Sequence, residues 1–145
     1  MTLSRALPED LGTLLDMCRR YCELDGHVFD ESTARAGFAP LLDGDVHGVV
    51  WLIGDDGPDP AGYAVVTWGW SIESGGPDAL LDEIYVDRRG RGLGSAAVVE
   101  IIEDCRRRGF IRVFLETERH NLGARRLYSR FGFREEDSVW MSKDL

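Results

Sequence analysis

Between a strand-like run, Leu80 to Val86, and a helix-like run, Ala96 to Cys105, the chain reads Arg88-Arg89-Gly90-Arg91-Gly92-Leu93-Gly94-Ser95. Three glycines let the backbone turn tightly and approach a ligand with no Cβ in the way. The helix that follows opens with unpaired N–H groups and the positive end of its dipole. Three arginines surround that cup with charge. Together these features suit a phosphate or pyrophosphate. The bland alternative is a solvated, glycine-rich turn.

Other chemistries fit the residues poorly. Cys18, Cys22 and Cys105 cannot all pair, and with His27, His47 and His120 widely separated no zinc spacing appears. No metal site is expected. Lys143 is the only lysine, which removes a P-loop lysine and makes a Schiff-base lysine improbable. Ser95 is not in a G-x-S-x-G context, so a hydrolase elbow is excluded. A net charge of −9 argues against DNA or RNA as the main partner and favours cationic ones. No apolar run approaches the roughly 20 residues of a spanning helix, so no membrane partner and a cytoplasmic location are expected.

The elements that must position the loop are legible from periodicity. At 145 residues, 43% of them hydrophobic, one domain with a proper core is expected over 1–145. Thr2 to Ala6 reads as a short strand. Leu11, Leu14, Leu15, Cys18, Tyr21 and Cys22 line one face of a helix beginning near Pro8. Asp30 is placed to cap a second helix running to about Leu42. Val46 to Ile53 and Ala61 to Ile72 read as strands of a hairpin joined by Gly54-Asp55-Asp56-Gly57-Pro58. The helix after the glycines ends in Arg106, Arg107 and Arg108 with Gly109 at its stop, which suits the helix dipole and explains those arginines structurally. Ile111 to Glu116 reads as a strand, Leu122 to Phe131 as a helix, and Phe133 to Met141 as strand-like. The order β-α-α-β-β-β-α-β-α-β is a mixed α/β layout: hairpins first, then a βαβ crossover carrying the glycine loop.

These residues resemble the GNAT N-acetyltransferase superfamily. Arg89-Gly90-Arg91-Gly92-Leu93-Gly94 fits its [Q/R]-x-x-G-x-[G/A] signature and follows the strand Leu81-Asp82-Glu83-Ile84-Tyr85-Val86. The gap-free alternative, Arg91-Gly92-Leu93-Gly94-Ser95-Ala96, also fits, so which arginine meets the pyrophosphate stays open. Asn121-Leu122-Gly123-Ala124-Arg125-Arg126-Leu127-Tyr128, followed by Phe131-Gly132-Phe133, matches the family's Asn-x-x-Ala-x-x-Leu-Tyr helix and Gly-Phe exit. The resemblance implies a mixed, mostly antiparallel sheet of six to seven strands flanked by about four helices, with a central βαβ unit for acetyl-CoA. It implies acetyl transfer to an amine, with backbone N–H groups from Arg89 to Ser95 on the pyrophosphate. The pantetheine arm would lie along Ile84, Tyr85 and Val86 like an added strand, Asn121 would hydrogen-bond it, and a backbone N–H there would steady the oxyanion.

Two proton problems then need side chains. An amine with a pKa of about 10.4 loses its proton at neutral pH at a cost of about 4.6 kcal/mol, taking about 1.36 per unit. Glu83, near where the thioester would lie, is the first candidate base, directly or through water. Strict alternation would set Glu83 on one face with Leu81 and Tyr85, opposite Asp82 and Ile84. Glu116, at the end of the next strand, is the reserve. Tyr128 matches the family's usual acid for the leaving thiolate. Each has a structural alternative: a solvated strand carboxylate for Glu83, a core tyrosine for Tyr128, an N-cap for Asn121.

The acceptor is not written in the motifs. Asp25, His27, Asp30 and Glu31, with Glu73 and Asp82, could meet a cation or simply cap helices and face water. Trp51, Trp68, Trp70 and Trp140 could line the acceptor cleft or pack in the core. A small cationic amine is the first expectation, and a protein lysine or N-terminal amine the alternative. A non-catalytic acetyl-CoA-binding regulatory module is the alternative of another class. A dinucleotide fold matches Gly92 to Ala97 as G-x-G-x-x-A, but six residues separate Val86 from Gly92 where that fold turns at once. Many GNAT proteins are dimers, so the resemblance leaves a homodimer open.

Overall fold

The computed structural model describes residues 2–54, 57–87 and 92–145. Strand β1 (Leu3–Arg5) leads through a 3-10 turn (Pro8–Asp10) into α1 (Leu11–Asp25) and α2 (Glu31–Leu42). Strands β2 (Gly48–Ile53), β3 (Gly62–Ser71) and β4 (Gly76–Val86) follow, then α3 (Leu93–Arg107), β5 (Arg112–Leu115) and α4 (Leu122–Arg130). The sheet runs β1-β2-β3-β4-β5 in space. Its first four strands are antiparallel neighbours, and β5 joins β4 in parallel through the α3 crossover.

The element order and mixed class match expectation, but the strand count does not. Five strands form among the described residues, and 133–145 contains no strand. The strand-like reading of Phe133 to Met141 is insufficient by itself, because a strand exists only through a partner edge. Helix α3 also begins earlier than expected, at Leu93 rather than Ala96.

The sheet separates two cores. On one face α1 and α2 bring Leu14, Leu15, Met17, Cys18 and Phe38 against Val50, Tyr63, Val65 and Tyr85. On the other, Ala97, Ile101 and Cys105 of α3 pack on Val49, Ala64, Val66, Ala79 and Leu81. Each buried aliphatic chain contributes about 1.5–3 kcal/mol. Asp30 caps α2 as its position implied, accepting from Thr33 N–H at 2.9 Å. Glu100 of α3 accepts from the N–H groups of Thr2 and Leu3 at 2.6 and 3.0 Å, pinning the edge strand β1 to the helix.

Candidate active site

The candidate site lies where β4 stops behaving as a regular strand. Val65 of β3 faces Glu83 while its neighbour Val66 faces Leu81, so Asp82 is an extra residue in the ladder. Such a bulge exchanges the faces of the residues on either side of it. Leu81 belongs to the α3 core, whereas Tyr85 belongs to the α1/α2 core and Glu83 joins it by bonding Tyr63. The expectation that Leu81 and Glu83 share a face is therefore wrong; Glu83 and Tyr85 do share one. Pairing between β4 and β5 ends at Leu81↔Leu115, at the same level, while β4 runs on to Val86. Asp87 N–H donates to Ala61 O at 2.7 Å. Antiparallel alternation then turns the N–H and C=O of Ile84 and Val86 away from β3, toward the side where β5 has ended.

Glu83 is held rather than solvated. Tyr63, fully buried, donates its hydroxyl to Glu83 Oε2 at 3.0 Å. Burial pushes the Glu83 carboxyl above the usual glutamate range; the Tyr63 hydrogen bond opposes this and the charge of Asp82 adds to it. Burial likewise raises the Tyr63 phenol, with the Glu83 charge adding. The Cys18 thiol, beside Tyr63, is pushed up to about 11, by burial first, with Tyr63 opposing and Glu83 adding. Cys18, Cys22 and Cys105 are free thiols.

Tyr21 and Tyr63 are site residues that sequence reasoning missed. Tyr21 reaches from α1 to Tyr85, ring centroids 5.6 Å apart, and Tyr85 meets Tyr63 at 6.1 Å. Burial pushes the Tyr21 phenol up to about 12, followed by the influence of Asp25, Glu83, Tyr128 and Cys22. A tyrosine in the otherwise apolar run Gly62-Tyr63-Ala64-Val65-Val66 was the available signal, since a buried hydroxyl needs a partner. Arg20 of α1 also pairs with Asp87, which accepts from the Tyr85 hydroxyl at 3.1 Å, so α1 is tied to the exit of β4.

Of the glycine loop, Arg89, Gly90 and Arg91 lie outside the described residues, as does Arg88. Gly92 starts α3 with φ 72°, a left-handed conformation that favours glycine. The first intrahelical bond runs from Ala96 N–H to Gly92 O at 3.0 Å, and no side chain caps the helix. The amides of Leu93, Gly94 and Ser95 therefore open the helix with no acceptor within it. Gly62 serves the same corner differently: a Cβ there would stand 2.0 Å from Tyr85 O, so only glycine lets β3 approach the end of β4.

Tyr128, on α4, packs edge-on against Phe133 at 5.8 Å and against the α3 core; burial raises its phenol above the usual value. Asn121 caps α4, its Oδ1 accepting from Ala124 N–H at 3.1 Å, which leaves its amide N–H groups as donors. Glu116 is exposed just past β5. Among the acids between the first helices, Asp25 pairs with His27 at 2.9 Å and Glu31 with Arg35 at 3.5 Å. The tryptophans do not gather at Glu83. Trp51 and Trp68 pack on the α3 side, Trp68 against Phe110, while Trp70 and Trp140 border a groove beside β5. No group of three His, Cys, Asp or Glu able to hold a metal occurs among the described residues, and no helix there is long and apolar enough to cross a membrane.

Residues 10–133 match the model of the acetyltransferase (GNAT) family. An uncharacterized N-acetyltransferase of Methanocaldococcus jannaschii is 30% identical over 144 residues, 95% of this chain and 62% of that protein. The chain thus spans somewhat under two thirds of that relative. Among solved structures, an integron cassette protein from the Cole Harbour salt marsh metagenome superposes with a TM-score of 0.87. It is 29% identical and the match covers 99% of this chain and 90% of that one. A proposed acetyltransferase from Arthrobacter sp. FB24 gives 0.84 at 28% identity, covering 100% and 96%.

Proposed function

The chain belongs to the acetyltransferase (GNAT) family, and from that premise we propose that residues 1–145 act as an N-acetyltransferase domain. It moves the acetyl group of acetyl-CoA to a primary amine by direct attack within a ternary complex. The observation that carries this reading is the bulge at Asp82, set where β5 leaves β4 and next to a helix that opens on Gly92. The pantetheine arm lies along Ile84, Tyr85 and Val86, bonding the outward N–H and C=O groups of Ile84 and Val86. The pyrophosphate sits on the amides at the start of α3. Asn121 donates to the arm from its amide nitrogen.

Glu83 takes the proton from the attacking amine. Its raised pKa supports that role, because a base is most effective when its pKa lies near the working pH. As the amine nitrogen bonds the acetyl carbon, the C–S bond breaks and the thiolate takes a proton from Tyr128. A cationic acceptor is favoured by the carboxylates of Asp25 and Glu83 beside the Tyr21 and Tyr85 rings, and by the acidic surface. We place small polyamine-like or amino-sugar amines first and peptide amines second. Thiol release measured with acetyl-CoA and a panel of both amine types tests this. Turnover on small diamines or amino sugars is the expected result; binding of acetyl-CoA with no turnover on any amine would contradict it.

A further inference from the structure

Asp87 follows the last residue of β4, Val86, whose Cγ2 lies 3.9 Å from the place a Cβ on Gly94 would take at the opening of α3. A carboxylate this near the helix-start amides works against an anionic ligand there, because like charges repel. The fold nevertheless fixes it from three sides. Its N–H donates to Ala61 O at 2.7 Å, and its Oδ1 accepts from the Tyr85 hydroxyl at 3.1 Å. The Arg20 guanidinium, on α1, donates to its Oδ2. Arg20 also pairs at 3.3 Å with Asp16, one helical turn earlier. The Arg20 Nε is buried with no hydrogen-bond partner among the described residues. An unsatisfied buried donor costs stability, so packing alone is a poor reason for an arginine at this position.

We propose that Arg20 is a positioning residue for coenzyme A that acts through Asp87. It holds a positive charge directly on that carboxylate and keeps it fixed beside Tyr85, so that Asp87 does not repel the diphosphate arriving at the α3 amides. The inference rests on the acetyl-CoA reading above and adds to it a residue from the opposite side of the fold, on a helix that carries no part of the glycine loop. Magnitudes favour this role over a purely structural one. The two side chains are partly exposed, 36% and 42%, and exposed ion pairs add little to folding stability. An unpaired carboxylate next to a bound diphosphate acts on ligand affinity directly. Charge and shape can be separated here, because Asp87→Asn keeps an Oδ1 acceptor for the Tyr85 hydroxyl while removing the charge.

Calorimetric titration of wild type, Arg20→Gln, Asp87→Asn and the double variant with acetyl-CoA tests the proposal, with circular dichroism confirming each fold. Parallel titrations use S-acetylpantetheine, which lacks the diphosphate. Arg20→Gln should weaken acetyl-CoA binding by roughly 3- to 10-fold at low salt and by less at high salt. Its affinity for S-acetylpantetheine should stay near wild type. Asp87→Asn should bind acetyl-CoA at least as tightly as wild type, and adding it to Arg20→Gln should restore the lost affinity. Wild-type affinity in Arg20→Gln would overturn the proposal. So would a double variant as weak as Arg20→Gln, or an equal loss of affinity for S-acetylpantetheine; each would leave the acetyl-CoA reading standing. A wild-type chain that binds no acetyl-CoA would sink both.

Discussion

The two ends of β4 are built to opposite standards. Around Glu83, Tyr63 is fully buried and Tyr85 nearly so, the rings of Tyr21, Tyr85, Tyr63 and Phe38 interlock, and the carboxylate has a defined donor. Around β5 and α4 no residue of either element is fully buried, and the following segment touches the fold through side chains alone. The difference teaches where precision is needed. A candidate base needs one place and one environment, and the shell of Glu83 is packed accordingly; the side chains of β5 carry no such demand.

The comparison breaks most sharply at Glu83. Replacing it as Glu83→Gln should lower kcat/KM for the amine by about 10²–10⁴-fold, while acetyl-CoA affinity, read by calorimetry, stays near wild type. The melting temperature should hold or rise, because burial works against the charged form of this carboxyl. The sign follows from the raised pKa. Between the ordinary glutamate value and the raised one, the folded state binds more protons than the unfolded state. The stability contributed by Glu83 is thus present below the ordinary value and lost as pH rises through the raised one. Activity runs the other way, falling as pH drops through the raised pKa. A pH series of melting and of kcat/KM checks both signs.

Tyr63→Phe sharpens the same end. It removes the donor that opposes the upward shift, so the acid limb of the kcat/KM profile should move to higher pH. Loss of that bond should also cost about 1–3 kcal/mol in denaturant melts. Gly92→Ala acts at the helix start, where φ is 72° with open space for a Cβ. Forcing a side chain into that conformation costs about 1–2 kcal/mol, and acetyl-CoA binding should weaken while kcat at saturation changes little. The smallest effect belongs to the thiols. Cys18 and Cys105, each pushed up to about 11 by burial first, should resist alkylation by iodoacetamide near neutral pH until the protein is unfolded, as read by mass spectrometry.

Local patterns carried much of this into the sequence. Helix periodicity placed α1, the Asp30 cap placed α2, and Asn121 both resembled a motif and proved to be a cap. What the sequence left hidden depends on pairing across the sheet. The bulge at Asp82 exists because β3 offers Val65 and Val66 to Glu83 and Leu81, and no property of β4 alone reveals which residue drops out of register. Tyr21 reads only as part of a helix face and Tyr63 only as part of a strand, because their role comes from the carboxylate opposite. Phe133 to Met141 reads as strand-like, yet it forms no strand, because pairing depends on an edge that the local sequence does not specify.

The central claim is that this fold grips coenzyme A beside Glu83. Calorimetric titration of the wild-type chain with acetyl-CoA measures it most directly. One equivalent binding per chain with a defined heat is expected; no heat of association at any ligand concentration would contradict it.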